Sequence, residues 1–484
     1  MIDPWAVLDD DKPREECGIF GITAVAEAAN FVALGLHALQ HRGQEAGGIV
    51  TYDPAAGFQS ARRFGYVRDN FTSASLMETL PGTLSIGHVR YSTAGSKGQT
   101  AIRDVQPLFA EFAMGGCAIA HNGNITNADA LKAELIERGS IFQSSSDTEC
   151  IIHLMARSIQ RTIPDRMKDA LRRVEGAFSL VAMTRSKLIG VRDPRGVRPL
   201  MLGRIGEGHC LASETCALDI IGAEFVREID PGEMVIITAD GIESFRPFEP
   251  VKPRFCIFEH VYFSRPDSVI AGRSVYETRR RIGVELAREA PVEADLVCPV
   301  PDSGTPAAIG FAQESGIPYA MGIVRNQYVG RTFIEPTEHI RNMGVRLKLN
   351  INRALVAGKR VVLVDDSVVR GTTSAKIREM IRDAGAREVH FRIASPPTEW
   401  PCFYGVDTPN RDKLLAATMS ADQMRAHLEV DSLRFVSLDG LYRACGQEDG
   451  RDNTDPHFCD ACFSGDYPVS PSDQITAGFR MKLA

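Results

Sequence analysis

The segment RVVLVDDSVVRGTTS (360–374) sets two adjacent acids and then Arg-Gly-Thr-Thr-Ser between an apolar run and an amphipathic stretch. Such a loop offers backbone N–H groups, hydroxyls and the positive end of a helix dipole to a phosphate, while its carboxylates can reach sugar hydroxyls or a metal-bound water. The competing reading is the strand-Asp-Asp motif of a Mg2+-dependent hydrolase, which the Gly-Thr-Thr continuation disfavours. PVPDSGTPAA (299–308) also leaves an apolar run and enters a helical one, although on its own Asp-Ser-Gly is only a turn signal. Between these loops, residues 325–350 carry five basic side chains against two acidic ones. That composition suits a lid that brings cations to departing charge and excludes water, or else a solvated basic loop.

Sulfur supplies the other chemistry. Cys17 opens the apolar run CGIFGI directly after Glu15 and Glu16, and by itself it reads as a small buried hydrophobe. Its meaning changes when HRGQEAGG (41–48), GHVRYSTAG (87–95), AHNGNITN (120–127) and SSSDTE (144–149) are read with it. Singly these too have plain readings: Arg90 in a surface ion pair, Asn122-Gly123 in a hairpin turn, Asp147 as a helix N-cap. Cys459 and Cys462 form a CxxC, which alone is half a zinc site, a redox pair or chance. Cys256 in RFCIF and Cys402 in WPCFYG lie among aromatics able to shield a cluster. Four thiolates also suit Zn2+, and Cys445 is a rival ligand. Cys117, Cys150, Cys210, Cys216 and Cys298 read as packing residues.

The elements that must position these groups change character along the chain. From Cys17 to about residue 250, short apolar runs (CGIFGI, GGIVTYD, LSIGHVRYST, CAIAHNG, FSLVAMT, MVIIT) predict strands, with helical spacing in NFVALGLHALQ and CIIHLMARSI. This half is α+β. Beyond the prolines of PFEPVKPRF, apolar strands alternate with long amphipathic stretches, which predicts parallel strands with crossover helices. Ile377, Met380, Ile381 and Ala384 keep helical spacing, and Gly385 supplies a stop. The tail after Cys462, rich in Ser, Pro, Gly and Asp, reads as largely irregular.

A chain of 484 residues with 44% hydrophobic and 24% charged residues is globular, and two domains account for its length. It lacks the roughly 18 consecutive apolar residues of a membrane helix. A formal charge of -7 gives no overall pull toward nucleic acid. Eleven scattered cysteines fit a reducing compartment, and the acidic first sixteen residues are no secretory signal, so a cytoplasmic location is expected.

The Cys17 constellation resembles the glutaminase domain of the amidotransferases whose nucleophile is the N-terminal residue, an αββα fold. The resemblance implies that the Cys17 thiol attacks the glutamine amide with its own α-amino group as base. That amine titrates near ~8 against ~10.4 for lysine, and an amide nitrogen has no such basicity. Removal of residues 1–16 as a propeptide, by cleavage of the Glu16–Cys17 bond, is therefore expected. The resemblance further assigns Arg90 and Asp147 to the carboxylate and amino group of glutamine, Asn122 and the N–H of Gly123 to the oxyanion hole, and Arg42 to a loop closing over glutamine.

The 360–374 segment resembles the signature of the type I phosphoribosyltransferases, α/β proteins that bind phosphoribosyl pyrophosphate. This assigns Asp365 and Asp366 to the ribose and Mg2+, and Ser367, Arg370, Gly371, Thr372, Thr373 and Ser374 to the 5-phosphate. Asp302, Ser303, Gly304 and Thr305 fall on the pyrophosphate side, with Ser303 near the metal, and Arg325, Tyr328, Arg331 and Lys348 on the lid. Cys256, Cys402, Cys459 and Cys462 resemble the [4Fe-4S] ligands of one branch of such transferases, a branch that also carries a leader.

Taken together, from Cys17 to about Cys462, the chain resembles the glutamine phosphoribosylpyrophosphate amidotransferase family. The implied layout is a propeptide 1–16, a glutaminase domain 17–250, and a phosphoribosyltransferase domain 251–484 with the cluster region and tail. The implied reaction turns glutamine, phosphoribosyl pyrophosphate and water into phosphoribosylamine, glutamate and pyrophosphate. One Mg2+ and one structural [4Fe-4S] cluster per subunit, a homotetramer, and inhibition by purine nucleotides are also implied, with neither nucleic acid nor membrane as partner. A ligand-sensing regulator without chemistry is disfavoured by the glutaminase segments. Other N-terminal-cysteine amidotransferases lack the VDDSVVRGTTS cradle.

Overall fold

A computed structural model describes residues 14–15, 17–91, 102–326 and 348–476. Within them, the first half is built from two antiparallel sheets. One runs, edge to edge, Glu224–Glu228, Met201–Ile205, Gly208–Ala212, Cys17–Thr23, Leu84–Arg90, Ala46–Asp53 and Gly57–Phe64. The other runs Gly241–Phe245, Met234–Thr238, Leu188–Arg192, Gly176–Met183, Gly115–Ile125 and Leu108–Phe112. Alternate side chains of a strand point to opposite faces. Accordingly Ile19, Val50, Ile86, Ala120, Val181 and Leu188 of the two sheets share one core between them. Phe20 and Ile22 turn the other way, toward helix Ala28–Ala38 with Val32 and Leu36.

The outer face of the second sheet is covered by helices Ala128–Glu137, Thr148–Arg157 and Ile163–Leu171, whose Leu135, Ile151, Met155 and Met167 pack on Ile119, Phe178 and Leu180. Strands buried on both faces need apolar residues at nearly every position, which is why these runs lack clean alternation. Fully burying a side chain such as Phe20 or Ile151 contributes about 1.5–3 kcal/mol. The layering is αββα, and the expected helices over NFVALGLHALQ and CIIHLMARSI are present.

The second half holds a parallel sheet in the order Leu296–Pro299, Arg360–Asp365, Glu388–Ile393, Ser432–Phe435. Helices Val275–Glu289, Thr305–Ser315 and Thr372–Asp383 accompany it. In the last, Ile377, Met380 and Ile381 are the buried face, and Gly385 ends the helix at φ +97°. A two-stranded ribbon, Ile323–Arg325 against Leu349–Ile351, stands at the base of the segment expected to form the lid. The described part of the tail, residues 463–476, is irregular between two short helices, Ala461–Ser464 and Ser472–Thr476, and Asp473 accepts from the amides of Asp129 and Ala130 at 2.7 and 3.2 Å. It thereby caps helix Ala128–Glu137, whose own Asn127 makes no side-chain cap. No helix among the described residues is long and apolar enough to cross a membrane.

Candidate active sites

Cys17 begins its strand opposite Arg90 of strand Leu84–Arg90 and is 9% exposed. Ser213, which sequence reasoning passed over, ties this strand to the oxyanion candidates. Its hydroxyl accepts from the Ile19 amide at 3.0 Å and from Asn122 Nδ2 at 3.5 Å, while its own amide donates to the Ile19 carbonyl. Nothing in SETC marks that serine, because its role depends on a strand 194 residues away. Asn122 is fully buried on strand Gly115–Ile125, and Gly123 follows at φ +140°.

Arg90 and Asp147 border one loop. Arg90 Nη1 donates to the Asp104 carbonyl at 2.7 Å, and the Asp104 carboxylate accepts from the Ser145 amide at 2.9 Å, two residues before Asp147. Asp147 accepts from the amides of Ile125 and Thr148 at 3.0 and 2.8 Å, and its side chain stays 22% exposed. Burial would raise its carboxyl, but His121, 3.7 Å away, and the two amides outweigh that and hold it below the ordinary carboxylate value. Asp147 is thus an anion at the N-terminus of helix Thr148–Arg157: the cap reading and the ligand reading share one residue.

Arg42, expected on a loop closing over glutamine, is held by two carboxylates. It is fully buried in the turn Gln40–Arg42, its Nε on Glu214 and its Nη2 on Glu259 at 2.7 Å. Glu259 also receives Arg198 Nη1 at 3.1 Å. Burial would raise the Glu214 carboxyl, but Arg42 and His41 hold it well below the carboxylate range. This ionic cluster joins the two halves, and no local motif around HRGQ foretold its acidic partners.

The two acids of the second site are at the C-terminal end of a central strand, where open α/β sheets bind ligands. Asp365, Asp366 and Ser367 are 2, 2 and 3% exposed. Ser303 Oγ donates to Asp366 Oδ1 at 2.6 Å and Ser367 Oγ to Asp366 Oδ2 at 2.7 Å, so the 299–308 and 360–374 loops meet. Gly304 permits the approach, since a Cβ there would lie 2.3 Å from the Val364 carbonyl oxygen. Gly371, Thr372, Thr373 and Ser374 open helix Thr372–Asp383, with Arg370 just before. Asp302, on the same loop as Ser303 and Thr305, pairs with Arg325 at 2.6 Å. Lys348 precedes the returning ribbon strand, its carbonyl accepting from the Asn326 amide at 2.8 Å. Tyr328 and Arg331 lie outside the described residues. Sequence reasoning missed Arg279, which is 4% exposed and donates to the carbonyls of His260 and Ser264. Burial lowers it to about 10, against the nearby Asp366 charge.

Cys256, Cys402, Cys459 and Cys462 line one cavity together with Phe258, Phe263, Tyr404 and Val406, and Cys445 is not in its lining. Cys256 and Cys459 are opposite each other in a short parallel pairing. Burial, and charge on neighbouring thiols, push Cys459 and Cys462 well above the ordinary thiol value and Cys256 to about 12. Among the described residues no three or more His, Cys, Asp or Glu are grouped as a single ion would need.

An αββα domain that includes the Cys17 strand, joined to a parallel sheet with the Asp365–Asp366 loop at the end of a central strand, defines a glutamine amidotransferase coupled to a phosphoribosyltransferase. Residues 90–219 match the model of the glutamine amidotransferase domain. The amidophosphoribosyltransferase of Rhizobium etli is 56% identical over 99% of this chain and 96% of its own, and that of Bacillus subtilis 47% over 94% of each. The solved B. subtilis glutamine phosphoribosylpyrophosphate amidotransferase, complexed with ADP and GMP, superposes with a TM-score of 0.88 at 45% identity, covering 94% of this chain and 98% of that one. The chain belongs to the amidophosphoribosyltransferase family: it is a glycosyltransferase with glutamine amidotransferase activity, of the first step of purine biosynthesis.

Proposed function

We propose that Cys17, freed by cleavage of the Glu16–Cys17 bond, opens the glutamine amide, and that the released ammonia attacks phosphoribosyl pyrophosphate held at Asp365 and Asp366. Glutamine, phosphoribosyl pyrophosphate and water become phosphoribosylamine, glutamate and pyrophosphate. The observation that carries this is that Cys17 faces Arg90 on a paired strand, Ser213 ties the Cys17 strand to Asn122 beside Gly123, and Asp147 accepts from Ile125 at the end of the same Asn122 strand, all in the chain that holds the Ser303–Asp366 loop pair.

In the first half, which we take as residues 17–250, Arg90 and Asp147 bind the carboxylate and amino group of glutamine. The new α-amino group takes the thiol proton, and Asn122 and the Gly123 N–H receive the oxyanion. Arg42 anchors the turn after helix Ala28–Ala38 from behind. In the second half, residues 251–484, the amides and hydroxyls of 367–374 hold the 5-phosphate. Asp302 to Thr305 face pyrophosphate, and Arg325, Tyr328, Arg331 and Lys348 serve the lid. The oxygen donors Ser303, Asp365 and Asp366 fit a Mg2+, whose charge would offset that of the leaving pyrophosphate. Ammonia at neutral pH is mostly ammonium, so a closed passage between the sites preserves the nucleophilic form.

The four-sulfur, almost wholly apolar cavity fits a [4Fe-4S] cluster of structural role, bound by Cys256, Cys402, Cys459 and Cys462. The enzyme is read as cytoplasmic and homotetrameric, with purine nucleotides as inhibitors, a reading supported by the ADP and GMP bound to the B. subtilis relative. Two measurements test the proposal. Nitrogen-15 from the glutamine amide should appear in phosphoribosylamine, and N-terminal sequencing of active enzyme should begin at Cys17. Active enzyme that retains residues 1–16 would contradict the amine-base mechanism.

A further inference from the structure

We propose that Gly405 is a positioning residue for the oxyanion hole, so that segment Cys402–Asp407 of the second half holds the Cα of Gly123, through it the direction of the adjoining Gly123 N–H, and with that the rate of glutamine cleavage. The proposal rests on the reading of the Gly123 N–H as an oxyanion donor. Gly123 is walled on both sides by main chain. A Cβ on Gly123 would lie 2.0 Å from the Ala177 carbonyl oxygen, which closes the side toward strand Gly176–Met183. On the other side is Gly405, at φ +95°, where a Cβ would lie 2.9 Å from Gly123 Cα, 3.0 Å from its carbonyl carbon and 3.2 Å from its oxygen. No side chain fits between the two residues. Glycine is ordinarily the most mobile residue of a chain, and here one glycine is held by another.

Gly405 can act as a wall only if its own segment is fixed, and bonds fix it on either side of the contact. The Cys402 amide donates to Thr408 Oγ1 at 2.7 Å and the Tyr404 amide to Cys402 Sγ at 3.3 Å. Asn124, next to Gly123, donates to the Phe403 carbonyl at 2.9 Å. Arg198, fully buried and paired with Glu259, donates to the Tyr404 carbonyl at 2.8 Å. The strand carrying the oxyanion donors and the segment carrying the Cys402 thiol are thus bolted together at the point where a donor must be aimed. An oxyanion hole works through preorganised donors, and misplacement by about 1 Å can cost on the order of 100-fold in rate.

The test uses processed full-length enzyme and compares Gly405→Ala, Asn124→Ala and Asn122→Ala. Gly405→Ala should lower glutamine-dependent kcat by roughly 10- to 100-fold. Its glutamine KM should stay within about threefold, the split expected when only transition-state stabilisation is lost. Ammonia-dependent pyrophosphate release and the rate of Cys17 alkylation by iodoacetamide should match the unaltered enzyme, since neither uses the oxyanion donors. Asn124→Ala, which frees only the Phe403 carbonyl, should give the same pattern at about fivefold. If Asn122→Ala cripples glutamine cleavage while Gly405→Ala leaves kcat within about twofold, the positioning role is overturned and the oxyanion reading stands. If Asn122→Ala is also silent, the oxyanion reading falls and takes this proposal with it. Parallel loss of ammonia-dependent activity in Gly405→Ala would make the residue merely structural, and overturns the proposal as well.

Discussion

Ser303 donates its hydroxyl hydrogen to Asp366 Oδ1 at 2.6 Å, joining two loops that leave neighbouring parallel strands. The bond presents one carboxylate of the acid pair already oriented, with Ser367 on its other oxygen. Asp366→Asn keeps the shape but removes the charge. Ammonia-dependent pyrophosphate release should fall by roughly 10- to 100-fold, the worth of one charge-assisted interaction. Ser303→Ala, which removes one bond to that carboxylate, should lower it by about tenfold. Steady-state kinetics with varied Mg2+ checks both, and unchanged rates would remove the pair from the sugar site.

Arg42 neutralises two carboxylates that are both fully buried, Glu214 and Glu259. Arg42→Met would leave Glu214 to His41 and Glu259 to Arg198, and unfolding stability should drop by about 3 kcal/mol. Arg204 pairs with Glu224 at 2.6 Å on the surface, where both side chains are more than half exposed, so Arg204→Met should leave stability nearly unchanged. Urea denaturation of the two variants makes the comparison. Equal effects would contradict the burial argument.

Acid should weaken the fold through Glu214 and Glu233. Burial would raise the Glu233 carboxyl, but bonds from Arg227, Ser244 and the Asp230 amide hold it at about 2. Both glutamates are therefore depressed in the folded state relative to the usual 4.5. Their contribution is complete above the unfolded value and is lost as pH falls through the folded one. Urea midpoints should decline as pH drops below about 4.5, and the decline should be shallower in Glu233→Gln. A midpoint indifferent to pH across that window would contradict the assignment.

Anaerobically purified protein should carry iron, acid-labile sulfide and broad visible absorption. Cys459→Ser should lose all three, whereas Cys445→Ser, altering a thiol outside the cavity lining, should retain them. Zinc without sulfide would replace the cluster reading by a mononuclear one.

Local grammar carried most of the fold. Apolar runs marked the strands of both sheets, and the spacing of Ile377, Met380 and Ile381 marked helix Thr372–Asp383 with its Gly385 stop. The sites were legible where one short segment holds both the reactive group and its support, as in RVVLVDDSVVRGTTS. They were illegible where support comes from afar. Ser213 reaches Ile19 and Asn122, Glu259 reaches Arg42, and Gly405 abuts Gly123 only because sheets and halves are packed together. Arg42 shows the limit best: its neighbours in HRGQEAGG gave no hint of the buried acids that claim its guanidinium. Neither periodicity nor composition encodes a contact between residues so distant in sequence.

The central claim is that two separable sites in one chain hand nitrogen from glutamine to an activated ribose. The most direct measurement is pyrophosphate release from phosphoribosyl pyrophosphate by unaltered enzyme and by Cys17→Ala, each supplied with glutamine or with ammonium at alkaline pH. Unaltered enzyme should use both nitrogen sources, and Cys17→Ala should fail with glutamine yet release pyrophosphate with ammonium. Glutamine-dependent release that survives Cys17→Ala would contradict the account.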